Sequence, residues 1–289
     1  MSGVLLAIVA LFGWGTADFL AQRAVRKVGN ATTLFSGSFL GLIILTPFLG
    51  SRIDILVARP SLILLLALAA AVGIFTALFS LEAYRRGKIA VVEPIMGLEL
   101  PITILLAVSL RGERLDAAHA LTMAAVFVGI LLTATGNSLN RRIGLKTIEK
   151  GAVFGLIGAI GLGASNFVSS VASQEASPLL AVWSGRLAFT AVFGAYLMVN
   201  GRLAAAIKAT RKHPWLVLGS SMLYLVAFMS YAVSVTLIPI SVATTISESY
   251  IVLTVLLGVF INKEKLAAHQ IAGIALTALA VGLLSASGS

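Results

Sequence analysis

Stretches of about 20 apolar residues, each long enough to cross a hydrocarbon core, follow one another along all 289 residues of the chain. Inside a bilayer every backbone polar group must bond within the protein, so only helices or a closed barrel can span it. The runs are continuously apolar rather than alternating with period two, which selects helices. They divide into ten expected spans, at about 3–22, 31–50, 61–81, 89–110, 117–135, 151–171, 178–199, 214–236, 240–261 and 267–286. The expected fold is therefore an all-α polytopic membrane protein, one transmembrane domain over residues 1–289. Composition agrees. Only 11% of residues are charged against 59% hydrophobic, and the mean hydropathy is +1.03. A soluble domain carries about 25% charge.

Several chemistries are excluded. The chain has no cysteine, so it forms no disulfide, thiolate metal site or cysteine nucleophile. It lacks a G-x-x-x-x-G-K-[ST] phosphate loop, which argues against ATP hydrolysis. His119, His213 and His269 stand in unrelated contexts, with no H-E-x-x-H helix, serine elbow or acidic metal cluster beside them. No cofactor is expected. The first span starts almost at Met1 without a basic segment, which reads as a retained helix rather than a cleaved signal.

The net charge of +10 does not point to nucleic acid, because the basic residues sit in short connections between spans. Connections 1–2, 3–4, 5–6, 7–8 and 9–10 carry 3, 3, 4, 4 and 2 Lys or Arg, and the alternate set carries 2, 2, 0 and 0. By the positive-inside rule the richer set faces the cytoplasm, with both termini outside and the plasma (inner) membrane as the expected location.

The chain also repeats itself. A shift of 148 lays Gly13-Trp14-Gly15-Thr16-Ala17-Asp18-Phe19 over Gly161-Leu162-Gly163-Ala164-Ser165-Asn166-Phe167, and Phe35-Ser36-Gly37 over Trp183-Ser184-Gly185. A shift of 151 lays Ile89, Val91, Ile95 and Thr103 over Ile240, Val242, Ile246 and Thr254, continuing to Glu113-Arg114-Leu115 over Glu264-Lys265-Leu266. Spans three and eight align weakly. The expected halves are 3–135 and 151–286, five spans each. Since five is odd, the second half enters the membrane inverted. Connections 1–2 and 3–4 are basic, whereas their counterparts 6–7 and 8–9 carry no Lys or Arg. Inverted repeats are a signature of secondary transporters, with the site near the midplane between the halves.

With two five-span halves, Trp14-Gly15-Thr16 in span one, and Pro101 followed by Gly112-Glu113-Arg114-Leu115 closing span four, the chain resembles the EamA-type transporters of the drug/metabolite superfamily. The second half keeps Glu264 but has Lys263 for the glycine and Val252 for the proline. That departure bears on whether spans four and nine behave alike. The resemblance implies movement of small metabolites, often amino acids or related polar compounds.

Ionisable groups inside spans usually face a cavity or a partner. Glu99 falls about 15 Å into span four, and Glu248 and Arg186 about 12 Å into theirs. Glu99 is the leading candidate. Pro94 and Pro101 loosen the helix around it, and a carboxyl held away from water can take up and release a proton. Its alternative role is glue between helices. Glu93, nearer the span's start, reads as interfacial. Glu248 shares a helix face with Ser241, Thr244 and Thr245, either as a wet cavity wall or as interhelical hydrogen bonding. Arg186 either holds a substrate carboxylate or, as the weightier reading, neutralises Glu99, Glu248 or Asp18. Trp14, Asp18, its repeat-mate Asn166, and Tyr250, the repeat-mate of Glu99, complete the candidates. Tyr224, Phe228 and Tyr231 form a stripe that reads first as packing, the glycines of span six as close helix contacts, and Glu113 and Glu264 as boundary or capping residues.

The expected function is alternating-access transport of a small polar or amphipathic metabolite, in the export direction, driven by protons or solute exchange. Its partners are that solute, the lipid bilayer and protons. The alternatives are a membrane-embedded enzyme acting on lipid-linked substrates and a scaffold that transports nothing.

Overall fold

The computed structural model describes residues 2–86, 95–134, 150–253, 256–257 and 267–287. These form α1 (Ser2–Val28), α2 (Asn30–Leu45), α3 (Asp54–Ala58), α4 (Ser61–Arg86), α5 (Glu99–Arg111), α6 (Ala117–Ala134), α7 (Lys150–Glu175), α8 (Pro178–Val199), α9 (Leu203–Lys212), α10 (Pro214–Ser234), α11 (Ile240–Glu248) and α12 (Ala268–Ser287), with no strand among the described residues. Local chemistry sets the ends. Ser177 accepts a hydrogen bond from the Leu180 amide at 3.1 Å, and Pro178 opens α8 where no amide donor is needed.

Six helices are long and apolar enough to cross a membrane: Ser2–Val25, Asn30–Phe48, Ser61–Ser80, Val153–Glu175, Pro178–Val199 and Pro214–Ser234. Spans five, nine and ten correspond to shorter apolar helices, Ala117–Leu132, Ile240–Leu253 and Ala268–Leu284. Span four contains the 13-residue α5. The stretch between spans seven and eight, expected as a simple connection, holds the helix α9. Large apolar side chains cover the outside: Leu64, Leu121 and Leu279 are 75%, 74% and 70% exposed. Such a surface is stable only against lipid.

The principal helix contacts exchange under the repeat. Helix α1 packs along α10, while its mate α7 packs along α4, the mate of α10. The α6–α12 and α2–α8 contacts each join a helix to its own mate. The correspondence reaches individual residues. A Cβ on Gly13 would lie 2.8 Å from Ala227 Cβ, and one on Gly161 would lie 2.7 Å from Thr76 Oγ1. A Cβ on Gly15 would lie 2.9 Å from Leu253 Cδ2, and one on Gly163 would lie 2.6 Å from Ile102 Cγ2. Each second pair is the repeat image of the first, and the pairing of Thr76 with Ala227 supplies the register of spans three and eight. Small residues here let helices approach where no hydrophobic force between them exists.

Gly163 is the most constrained of these contacts, because its face also meets the backbone carbonyl of Glu99, 2.9 Å from an added Cβ. Gly163→Ala is expected to cost about 1–3 kcal/mol by overpacking. Gly219, which has nothing within 4 Å of an added Cβ, is the control. Gly219→Ala should be neutral or stabilising by up to about 1 kcal/mol. Unfolding of the two detergent-purified variants measures the difference.

Candidate functional site

Two helices are interrupted at repeat-related places deep in the fold. In the first half a helical turn at Ile95–Met96 gives way to a bend at Gly97–Leu98 before α5 begins at Glu99. Pro101 cannot donate to Gly97 O, its partner in a continuous helix. The Leu100 amide turns to Gly97 O instead at 3.4 Å, and Leu98 N to Ile95 O at 3.1 Å. In the second half α11 stops at Glu248, bends at Ser249 and resumes from Tyr250 to Leu253. No proline is present there. The Ser249 hydroxyl occupies Thr245 O at 2.9 Å, the acceptor its own amide would use, and that amide shortens its reach to Ile246 O at 3.3 Å. Residues 97 and 98 map onto 248 and 249, so Val252 in place of proline does not stop the two halves from breaking alike. Pro94 and Glu93, together with Lys263 and Glu264, lie outside the described residues.

Each interruption carries a buried carboxylate: Glu99 is 3% exposed and Glu248 is 2% exposed. Both lie within electrostatic reach of the Tyr231 hydroxyl. The Thr103 hydroxyl ties α5 to α7, reaching Glu99 O at 3.0 Å and Gly163 O at 3.1 Å. Asn166 Nδ2 donates to Glu248 Oε1 at 3.1 Å. One turn along, Ser170 donates to Asn166 O at 2.6 Å and meets Tyr231 at 3.0 Å, and Tyr231 meets Thr244 Oγ1 at 2.7 Å. Because Ser170 spends its proton on a carbonyl, the bonds run Thr244 to Tyr231 to Ser170. Asn166 and Ser170 share one face of α7, Thr244 and Glu248 share one face of α11, and Tyr231 of α10 bridges them.

This arrangement changes the reading of α11. Every residue from Ile240 to Glu248 is buried, and the hydroxyls of Ser241, Thr244 and Thr245 are all hydrogen-bonded within the protein. Two of these bonds leave the helix, Thr244 to Tyr231 and Ser241 to Glu113, while Thr245 bonds Ser241 O within it. The Tyr224–Phe228–Tyr231 stripe shifts the other way, since Tyr231 bonds at the polar centre. Only the i, i+4 pairing of Asn166 with Ser170 hinted at this in the sequence.

Aromatic rings stand on the other side. Trp14 lies 5.4 Å from Phe228, 5.3 Å from Tyr231 and 6.1 Å from Tyr250, ring centre to centre. Arg186 lies beyond them. Its guanidinium carbon sits 4.9 Å over the Phe228 ring, and its stem runs along Gly41, where an added Cβ would meet Arg186 Cδ at 3.2 Å. Of the expected pairings, those with Glu99 and Glu248 are not formed: Arg186 has no ion pair or hydrogen bond to a described side chain, and Tyr224 is the titratable group beside it. A desolvated cation–π contact is worth about 2 kcal/mol. Taking such an ion out of water costs several kcal/mol. The side chain of Asp18, on α1, lies outside those described.

The motif that closes span four has a structural role. Gly112 adopts φ 67°, a left-handed turn that caps α5 and redirects the chain. Glu113 then accepts the Ile240 amide at 2.6 Å on Oε1, and on Oε2 the Ser241 amide at 3.1 Å and hydroxyl at 2.6 Å. A carboxylate of the first half thus caps the interrupted helix of the second, satisfying amides that α11 leaves bare and meeting the positive end of its dipole.

Fold and centre together define a polytopic α-helical membrane protein with a polar core between two similar halves. The chain belongs to the EamA-like transporter family, whose family model matches residues 1–135 and 149–286. It is similar in fold to a solved structure titled only "Crystal structure of protein", with a TM-score of 0.70 and 17% identity over 100% of this chain and 99% of that one. A sequence search of curated proteins gave no match.

Glu113→Ala removes the cap on α11. It should lower stability by about 0.5–2 kcal/mol, with Glu113→Gln intermediate because its amide oxygen still accepts one bond. Hydrogen exchange at Ile240 and Ser241 should rise in the same order, and unchanged exchange there would show that the cap contributes nothing.

Proposed function

We propose that the chain is a secondary transporter that moves a small amphipathic solute by alternating access. In this reading ten crossings form two inverted halves, 3–135 and 151–286, and the solute binds where they meet. One observation carries the reading: both halves break a helix at the same repeat position, and both breaks bring a buried carboxylate to the neighbourhood of Tyr231. Interrupted helices at a repeat interface are how carriers place polar groups and free backbone at mid-membrane.

Glu99 and Glu248 are the coupling carboxylates, taking up and releasing a proton during the transport cycle. Trp14, Tyr250 and Phe228 form the apolar wall, and Asn166 and Thr244 hold the acidic side in place. The uneven Lys and Arg content of the connections supports both termini lying outside, and export is the direction we propose. Membership of a transporter family favours carriage over chemistry on a lipid-linked substrate.

The test uses purified protein in liposomes and solutes selected by their effect on its melting temperature. Glu99→Gln should assemble, lose flux driven by a pH gradient, and keep solute-for-solute counterflow. Normal gradient-driven flux with unchanged pH dependence would remove Glu99 from coupling. Wild-type protein that moves no stabilising solute under any gradient would sink the transport reading.

A further inference from the structure

We infer that Arg186 and Phe228 form an anion subsite, and that the ligand of the central site carries an acidic group on an apolar or aromatic body. Arg186 has no ion pair or hydrogen bond to a described side chain, and its guanidinium lies over Phe228, whose ring in turn meets Trp14. A partly exposed guanidinium with no ion pair among the described side chains is open to an acidic ligand, and its planar fork suits a carboxylate or phosphate.

A second observation shows room beside it. Leu218, Met222 and Val226 mark the lipid-facing stripe of α10, all exposed. At about 100° per residue, Phe228 points about 120° away from the middle of that stripe, toward the interior. Yet it is 39% exposed, although Trp14, Tyr224 and Arg186 all touch its surroundings. The ring therefore keeps an accessible face next to the guanidinium. Gly41 keeps the stem of Arg186 pressed to α2, since any side chain there would meet Cδ at 3.2 Å. An acid bound to Arg186 would lay its apolar body along Phe228 toward Trp14.

The chemistry of this subsite stands apart from transport, although its role in selecting cargo rests on the function proposed above. The test uses three probes of one shape on the detergent-purified full chain: 3-phenylpropionate, its neutral amide, and 3-phenylpropylamine. The acid should raise the melting temperature in a saturable way, and the amide and amine should not. Arg186→Gln should weaken the acid by about 30-fold or more, Arg186→Lys by less, and Phe228→Leu should weaken it without altering the preference for acid. Without ligand, Arg186→Gln should melt at or above the wild-type temperature, because a partly desolvated cation with no ion pair to a described side chain has gone; a purely structural arginine would give a lower one.

Equal stabilisation by amide and acid, or preference for the amine, overturns the inference, and this comparison needs no variant. An Arg186→Gln protein that binds the acid like wild type also overturns it. Arg186-dependent binding without flux in liposomes would retain the subsite and sink the transport reading. Flux of solutes that carry no acid, unaffected by 3-phenylpropionate, would do the reverse.

Discussion

A backbone inside a bilayer has no water to bond with, and this chain nevertheless breaks two helices there. Everything at its centre follows from that need. The freed groups around Gly97 and Ser249 are taken up by shortened amide reaches and by the Ser249 hydroxyl. Once the backbone is satisfied, the breaks hold two carboxylates in the interior at a tolerable cost. The polar groups of Asn166, Ser170, Tyr231 and Thr244 then lock three helices around one of them.

Much of the architecture was legible in the sequence. Apolar runs located the helices, because only helical backbone is affordable in lipid, and glycine and acidic correspondences exposed the repeat. Spans three and eight stayed blurred because their shared property is smallness rather than identity: Thr76 and Ala227 do the same work against Gly161 and Gly13. The break in the second half was hidden for a different reason. Proline announces an interrupted helix, whereas a serine hydroxyl that competes with its own amide looks like any serine.

At the site the sequence identified buried charges but not their neighbours. Arg186 and the glutamates fall at similar depths, and depth alone suggested that they pair. Arg186 instead meets the ring of Phe228, which in turn meets Trp14, a matter of helix rotation and packing. Glu113 likewise sits at the right place for a cap, but the helix it caps lies more than a hundred residues away in the other half.

The two breaks also differ in permanence. Pro101 has no amide hydrogen, so the ladder at Gly97 can never close. Ser249 keeps its amide and only lends Thr245 O to its hydroxyl, a loan that a single rotation about χ1 would cancel. The first half therefore keeps a break that no change of rotamer can undo, whereas the second retains the amide that would rejoin its ladder.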